Sequence, residues 1–477
     1  MQEDGKKVTI ARTLGGARAS EKQTEAHLRP IRMRIHALAT IATAAALAAL
    51  RLPAPPTVPP PTSFAVTDVS VISATGASTS PRRTVIVANG RITDVVDAST
   101  WRPPSGMTTV DGRGLFMVPG LVDAHVHLMS DADLGQFLAA GVTTVRVLMG
   151  SPHVLELRDA VSRGVLMGPR IVTSGPIFAG SSIPWRDKVA PPTPDSARAL
   201  VRAQKAAGYD LIKIYDGLRA DVYAAVMDET SRLGMRATGH IPADVHLAGV
   251  LAAGQDLEHT DKVLFDVWGH AFDASRIDSV ARAIAAAKVA VTPTIASMQT
   301  MARVNSGGFD SLLSRPATGR VSKETLEYWC GVIQRMKGNR PPAAGSRYNP
   351  WTDFQMKIVA AERNAGILLL AGSDTPNGLL AAGTGLVDEL IALRESGLDN
   401  VEVLAAATRN PARVMGDTSA GVIRAGAPAD FVLVGGNPLE DLAALRDVRG
   451  VSASGRWLSR ASLDSLAPIR QSPPRCD

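Results

Sequence analysis

The sequence predicts an α/β chain, a (β/α)8 TIM barrel inserted into a small β-sheet domain built from both flanks of the barrel segment. Three observations predict it. Between residues 118 and 415, apolar runs of four to eight residues alternate with alanine-rich helical segments, the pattern of parallel βα units. Eight such runs occur there, which suits a barrel whose usual size is about 250 residues. Shorter β-like runs lie on both sides, between 64 and 110 and between 430 and 458.

The length of 477 residues leaves room for two or three domains at roughly 100–200 residues each. A chain 45% hydrophobic and 20% charged is globular in composition, which excludes global disorder. The net charge of +6 says little about nucleic acid, because residues 1–34 hold eight basic and four acidic side chains and so carry +4 of it. Only Cys330 and Cys476 occur, too few for a thiolate metal site, so any metal must use nitrogen and oxygen ligands.

In chain order, the first element is a leader over 1–50. Arg29, Arg32 and Arg34 precede an apolar run over 35–50 that ends in small residues, including Ala46-Leu47-Ala48, and a proline-rich stretch follows over 51–62. This order reads as a secretory signal peptide cleaved near Ala48, with Met33 as the expected start. The run is shorter than the ~20 residues of a membrane span, so the expected product is exported, periplasmic or secreted, without stable membrane insertion. Next come β-runs at 64–73, 84–88 and 91–96, the last two joined by the hairpin turn Asn89-Gly90. The eight barrel strands are expected at 121–127, 143–148, 170–174, 211–215, 236–240, 256–259, 289–294 and 367–372. Between the last two lies a stretch read as irregular, 299–354, carrying Tyr328, Trp329, Tyr348 and Trp351 in a chain with 4% aromatics. These aromatics either line a substrate cleft or pack the insertion onto the barrel. A helical segment over 400–415 and β-runs at 430–434 and 450–458 complete the domain, with 461–477 as a tail.

His125 and His127 stand two apart at the end of the first barrel strand, so both imidazoles point the same way. An isolated pair of this kind is more often incidental than a ligand pair. Four further strands, however, end in Lys213, His240, His259 and Asp374, at the end of a barrel where chemistry is done. Tyr215 follows Lys213 by two positions and is either an oxyanion donor or an interface aromatic.

The run Phe116-Met117-Val118-Pro119-Gly120-Leu121-Val122-Asp123-Ala124-His125-Val126-His127 resembles the first-strand signature of the amidohydrolase superfamily. Gly372-Ser373-Asp374-Thr375-Pro376 resembles its eighth-strand aspartate motif, and Thr408-Arg409-Asn410-Pro411-Ala412-Arg413 its following helix. Ala425-Gly426-Ala427-Pro428-Ala429-Asp430-Phe431-Val432 resembles the return strand of its β-sandwich. Within the superfamily the chain is similar to the imidazolonepropionase-related, prolidase-type binuclear enzymes. The resemblance implies a composite β-sandwich over 63–117 and 416–460 around a barrel over 118–415. It implies two divalent ions, zinc being the expected metal, with His125, His127 and Asp374 on one and His240 and His259 on the other. Lys213, carbamylated by CO2, is implied as the bridge, because an ammonium repels a dication whereas its carbamate is an anion with two oxygens. A hydroxide shared by the metals would attack the carbonyl, with Asp374 taking its proton and passing it to the leaving nitrogen.

One position departs from the pattern: Val387 stands where relatives carry a histidine that contacts substrate. His153, His246 and His270 match no ligand position. The expected function is hydrolysis of an amide C–N bond in a dipeptide or small N-acyl or cyclic amide. Two alternatives stay open, an ester or lactone hydrolase using the same parts and a non-catalytic periplasmic binding protein. The expected partners are a small-molecule substrate and at most further copies of the chain in a homo-oligomer, with no nucleic acid.

Overall fold

At the turn Asn89-Gly90 both residues have positive φ, 50° and 76°, the conformation a two-residue hairpin needs to match strand twist. The computed structural model in which this turn is seen describes residues 63–72, 78–269, 271–305, 308–338, 350–469 and 476. The leader with its apolar run, the proline-rich stretch, His270 and Tyr348 lie outside them.

Five strands precede the first histidine pair: β1 (Phe64–Ile72), β2 (Thr79–Ala88), β3 (Arg91–Asp97), β4 (Thr108–Asp111) and β5 (Phe116–Pro119). The turn joins β2 to β3. Ten short strands follow: β6 (Leu121–Val126), β7 (Val142–Val147), β8 (Arg170–Thr173), β9 (Ile177–Phe178), β10 (Lys188–Val189), β11 (Leu211–Ile214), β12 (Arg236–Gly239), β13 (Asp256–Glu258), β14 (Ala290–Thr292) and β15 (Leu368–Leu369). Near the C-terminus come β16 (Phe431–Val434), β17 (Val448–Ala453) and β18 (Arg456–Ser459).

The fold is mixed α/β. One eight-stranded sheet has the order β18-β17-β16-β5-β1-β2-β3, with β4 paired to β1, so it draws on residues from both flanks of the central segment. Phe64, Met117, Phe431 and Leu433 are buried in its apolar core. The central strands are parallel and form two sheets, β6-β7-β8 and β10-β9-β11-β12-β13-β14-β15. Isolated parallel bridges, Ser174 to Leu211 and Val126 to Thr375, link the two sheets at both edges. Helices follow most of these strands, and their Val, Leu and Ala side chains are buried in one continuous core with the strand residues.

Several expectations are corrected. The expected run 450–458 is two antiparallel strands, because Ser454 and Gly455 take positive φ and turn the chain between β17 and β18. β9 and β10 are too short for any residue alternation to announce them. The described residues of the stretch 299–354 are largely helical rather than irregular, with helices Ile295–Asn305, Phe309–Leu313, Lys323–Gly338 and Pro350–Asn364. It has a small core of its own, in which Trp329 and Ile333 meet Val304, Leu312, Leu379 and Ala381. Cys330 in this insertion is disulfide-bonded to Cys476 in the tail. Among the described residues, no helix is long and apolar enough to cross a membrane.

Candidate metal centre

The parallel strands bring their C-terminal ends together, and the polar residues sit at those ends. His125 lies in β6 and His127 one residue beyond it; both rings turn to the same side, their centroids 5.3 Å apart. The segment after β15 is stitched to β6 by two backbone bonds, Asp374 N–H to His125 O and His127 N–H to Thr375 O, both 2.8 Å. This approach requires glycine at 372, where a Cβ would come within 2.7 Å of the His125 Cβ and 2.6 Å of the Thr292 Cγ2. Asp374 then leaves the strand with φ +56°, and His259 leaves β13 with φ +68°. Such conformations cost a non-glycine residue roughly 1–3 kcal/mol and cluster at functional sites.

Distances confirm a convergence. His127 Nε2 lies 3.0 Å and His125 Nε2 3.4 Å from Asp374 Oδ1. Ring centroids of His125 and His259 are 4.5 Å apart, and those of His259 and His240 5.0 Å. One ligand atom each from His125, His259 and Asp374 falls within 4.8 Å of the others, a grouping suited to a metal ion. Three of the imidazoles have Nδ1 engaged elsewhere: His125 with Glu258 Oε2 at 2.8 Å, His240 with Asp216 Oδ1 at 3.1 Å and His259 with the Thr294 hydroxyl at 2.8 Å. Such outer partners fix tautomer and ring plane and leave Nε2 for the metal. Lys213 sits in β11 at 1% exposure, and its Nζ has no hydrogen-bond partner among the described residues.

Electrostatics follow the burial. Burial pushes His125 down to about 4 and holds His240 and His259 well below the ordinary histidine value, so these imidazoles are neutral at neutral pH, the form that binds metal. The Lys213 amine is pushed down to about 8 by burial, against the pull of the Glu258 and Asp374 carboxylates. Burial opposes ionisation of Asp374 and Glu258 as well. Even so, His259 and His125 hold Asp374 well below the usual carboxylate range, and Arg146 with His125 does the same for Glu258. Asp123 goes the other way, raised by burial to about 7, while Ser373 Oγ–H and N–H donate to it at 2.6 and 2.9 Å.

All six residues expected as metal ligands therefore stand at one set of strand ends. Tyr215 is half-buried beside them, its ring centroid 4.0 Å from that of His240. Val387 is buried in the core from the helix Thr384–Glu395. His153 and His246 are exposed and paired to Asp131 and Asp266. The described aromatics of the insertion separate: Trp329 is fully buried, Trp351 packs on Phe265 and Phe272, and Tyr328 reaches the edge of the cluster through Asn377.

Sequence reasoning missed the residues behind these side chains. Asp123 was legible, since it shares the strand parity of His125 and His127. Glu258 was not, because it is the immediate neighbour of His259, and adjacent strand residues face opposite ways until the left-handed turn at His259 re-aims the ligand. Arg146 lies inside β7, where a charge reads as an error of pattern; its guanidinium donates to Glu258 Oε1, Ala124 O and the Thr292 hydroxyl.

Residues 116–458 match the amidohydrolase family. Among solved structures, a putative prolidase from Bifidobacterium longum is 24% identical, covering 86% of this chain and 98% of its own, with TM-score 0.64. A Xaa-Pro dipeptidase with methionine bound in its active site is 20% identical, with coverages of 83% and 100% and TM-score 0.63. A bottromycin amidohydrolase is 25% identical, with coverages of 87% and 93% and TM-score 0.68. No curated protein matches the sequence.

Proposed function

The chain belongs to the amidohydrolase family, hydrolases of carbon–nitrogen bonds, and from that premise we propose that it is a binuclear metal-dependent enzyme cleaving the amide of a dipeptide or a small N-acyl or cyclic amide. One observation carries the reading: four imidazoles and a carboxylate converge at the strand ends around a buried lysine Nζ that has no partner among the described residues.

The residues fit such a centre. His125, His127 and Asp374 would hold one cation and His240 and His259 the second, with Lys213 between them as a carbamate. A neutral Lys213 amine adds to the carbon of CO2 and releases one proton, which gives an anion where an ammonium would repel both cations. When bound, two divalent ions, zinc by this donor set, supply hydroxide near neutral pH and polarise a carbonyl oxygen. Asp374, ionised at neutral pH, accepts the proton of the attacking water and delivers it to the leaving nitrogen. Tyr215, beside His240, donates a hydrogen bond to the oxygen on which charge develops. Glu258 and Arg146 hold His125 in one tautomer from beneath.

In the same reading, the parallel sheets linked at both edges form a (β/α)8 barrel over 118–415, and the eight-stranded sheet is the composite β-sandwich domain. The protein is exported, to the periplasm or beyond; the Cys330–Cys476 disulfide supports this, since such bonds persist in oxidising compartments. The substrate class draws support from the structural neighbours named for prolidase, Xaa-Pro dipeptidase and amidohydrolase activity.

The test is turnover of a panel of dipeptides, N-acyl amino acids, cyclic amides, esters and lactones by zinc-loaded protein, with and without chelator. Chelator-sensitive release of an amine from at least one amide is expected. Turnover confined to esters or lactones would move the substrate class, and binding without turnover would remove the enzyme reading.

A further inference from the structure

A chain of hydrogen bonds runs from the helical insertion between β14 and β15 to the centre. Tyr328, in the helix Lys323–Gly338, donates its hydroxyl to Asn377 Oδ1 at 2.7 Å, and Asn377 Nδ2 donates to Asp374 Oδ1 at 3.0 Å. The next residue in the helix, Trp329, is fully buried and donates its indole N–H to Pro376 O at 2.8 Å. One residue further, Cys330 is bonded to Cys476. Three consecutive residues thus fasten one helix to the loop that carries Asp374 and to the tail.

The chemistry of the chain sets its direction. An ionised carboxylate only accepts, so the Asn377 amide must present its NH2 to Asp374 and its carbonyl to the other side. A tyrosine hydroxyl facing that carbonyl donates to it and so fixes the amide in this orientation. Asp374 Oδ1 is also the oxygen that faces His125 and His127 Nε2, while Ser297 Oγ–H donates to Oδ2 at 3.3 Å. The plane of the carboxylate is therefore set by Asn377 on one side and Ser297 on the other, at a residue whose φ of +56° is imposed by its surroundings.

We propose that Tyr328 is a positioning residue: acting through Asn377, it fixes the carboxylate plane of Asp374 for metal binding and proton transfer. The proposal rests on the metal reading above and concerns residues that reading does not use. Partners behind metal ligands typically change affinity or activity about 10–100-fold.

The experiment uses full-length protein loaded with cobalt, whose visible absorption follows the bound ion. Withdrawal of cobalt by excess chelator is timed for the parent, Tyr328→Phe, Asn377→Ala and the double variant, and kcat and KM are then measured on an amide that the parent hydrolyses. Tyr328→Phe keeps the ring and removes only the hydroxyl. Expected are metal loss about tenfold faster in Asn377→Ala and several-fold faster in Tyr328→Phe, lower kcat in both, and KM within about twofold of the parent. The double variant should match Asn377→Ala, because Tyr328 acts only through the asparagine. Parent-like metal loss and kcat in Tyr328→Phe, or additive effects in the double variant, would overturn the proposal and leave the metal reading standing. A parent that takes up no cobalt removes the metal reading and this proposal with it.

Discussion

Two fully buried glutamates mark two different regions of the molecule. Glu258 lies at the end of β13, beneath the strand-end cluster, and Glu362 lies in the helix Pro350–Asn364 that closes the insertion. Burial disfavours charge on both. Around Glu258, however, Arg146, His125 and the Thr238 hydroxyl supply partners, and the carboxyl is held well below its ordinary range. Neither Glu362 oxygen has a hydrogen-bond partner among the described residues, and burial pushes this carboxyl up to about 8. The first region keeps its charge by surrounding it; the second loses it by protonation. A perturbed buried carboxyl is thus not by itself a sign of chemistry, and convergent partners are what set the strand-end region apart.

The largest effect is expected at Lys213, whose buried Nζ has no hydrogen-bond partner among the described residues. Lys213→Ala should lower kcat by several kcal/mol of transition-state stabilisation, roughly a thousandfold, and cost at least one metal. High concentrations of acetate or propionate should restore a measurable fraction, because a carboxylate would stand in for the proposed carbamate. Lys213→Arg should not be rescued, since a guanidinium stays cationic. Near-full turnover of Lys213→Ala with two metals and no added acid would make the lysine structural.

Next in size is Glu258→Gln, which keeps the volume but leaves the buried Arg146 guanidinium without its counter-charge. Breaking a buried pair in this way costs about 3–5 kcal/mol, read as a lower midpoint in chemical denaturation. A loss under about 1 kcal/mol would show that the other acceptors of Arg146, Ala124 O and the Thr292 hydroxyl, suffice.

The smallest effect is at Glu362 and has the opposite sign. Its folded-state value of about 8 lies above the ordinary 4.5, so the folded protein binds the extra proton. The stability this proton confers is complete below about pH 4 and is lost as pH rises through the window up to 8. Glu362→Gln cannot ionise, so unfolding free energies of parent and variant should agree near pH 4 and diverge by a few kcal/mol in favour of the variant at pH 8. Parallel pH profiles would mean that Glu362 has partners in solution that keep it charged.

The same two regions explain how much was legible in the sequence. His125 and His127 follow a period of two, and Lys213, His240, His259 and Asp374 stand at strand ends, so this set of polar residues could be picked out without coordinates. The insertion offered no such rule. The spacing of Tyr328, Trp329 and Trp351 says nothing about which aromatic is buried, which stacks and which reaches Asn377, because tertiary contacts decide it. Arg146 and Glu258 were hidden for the related reason that a paired charge inside a strand is recognisable only once its partner is known. The Ser454-Gly455 turn was a local signal within reach, passed over because the run around it is apolar.

The proposed centre of two metals joined through Lys213 is tested by measuring metal content against activity. Apoprotein is titrated with zinc in the presence of bicarbonate, and bound metal and amide turnover are recorded at each step. Activity should rise with the second equivalent and saturate at two bound ions per chain. Full activity at one equivalent or fewer would contradict it.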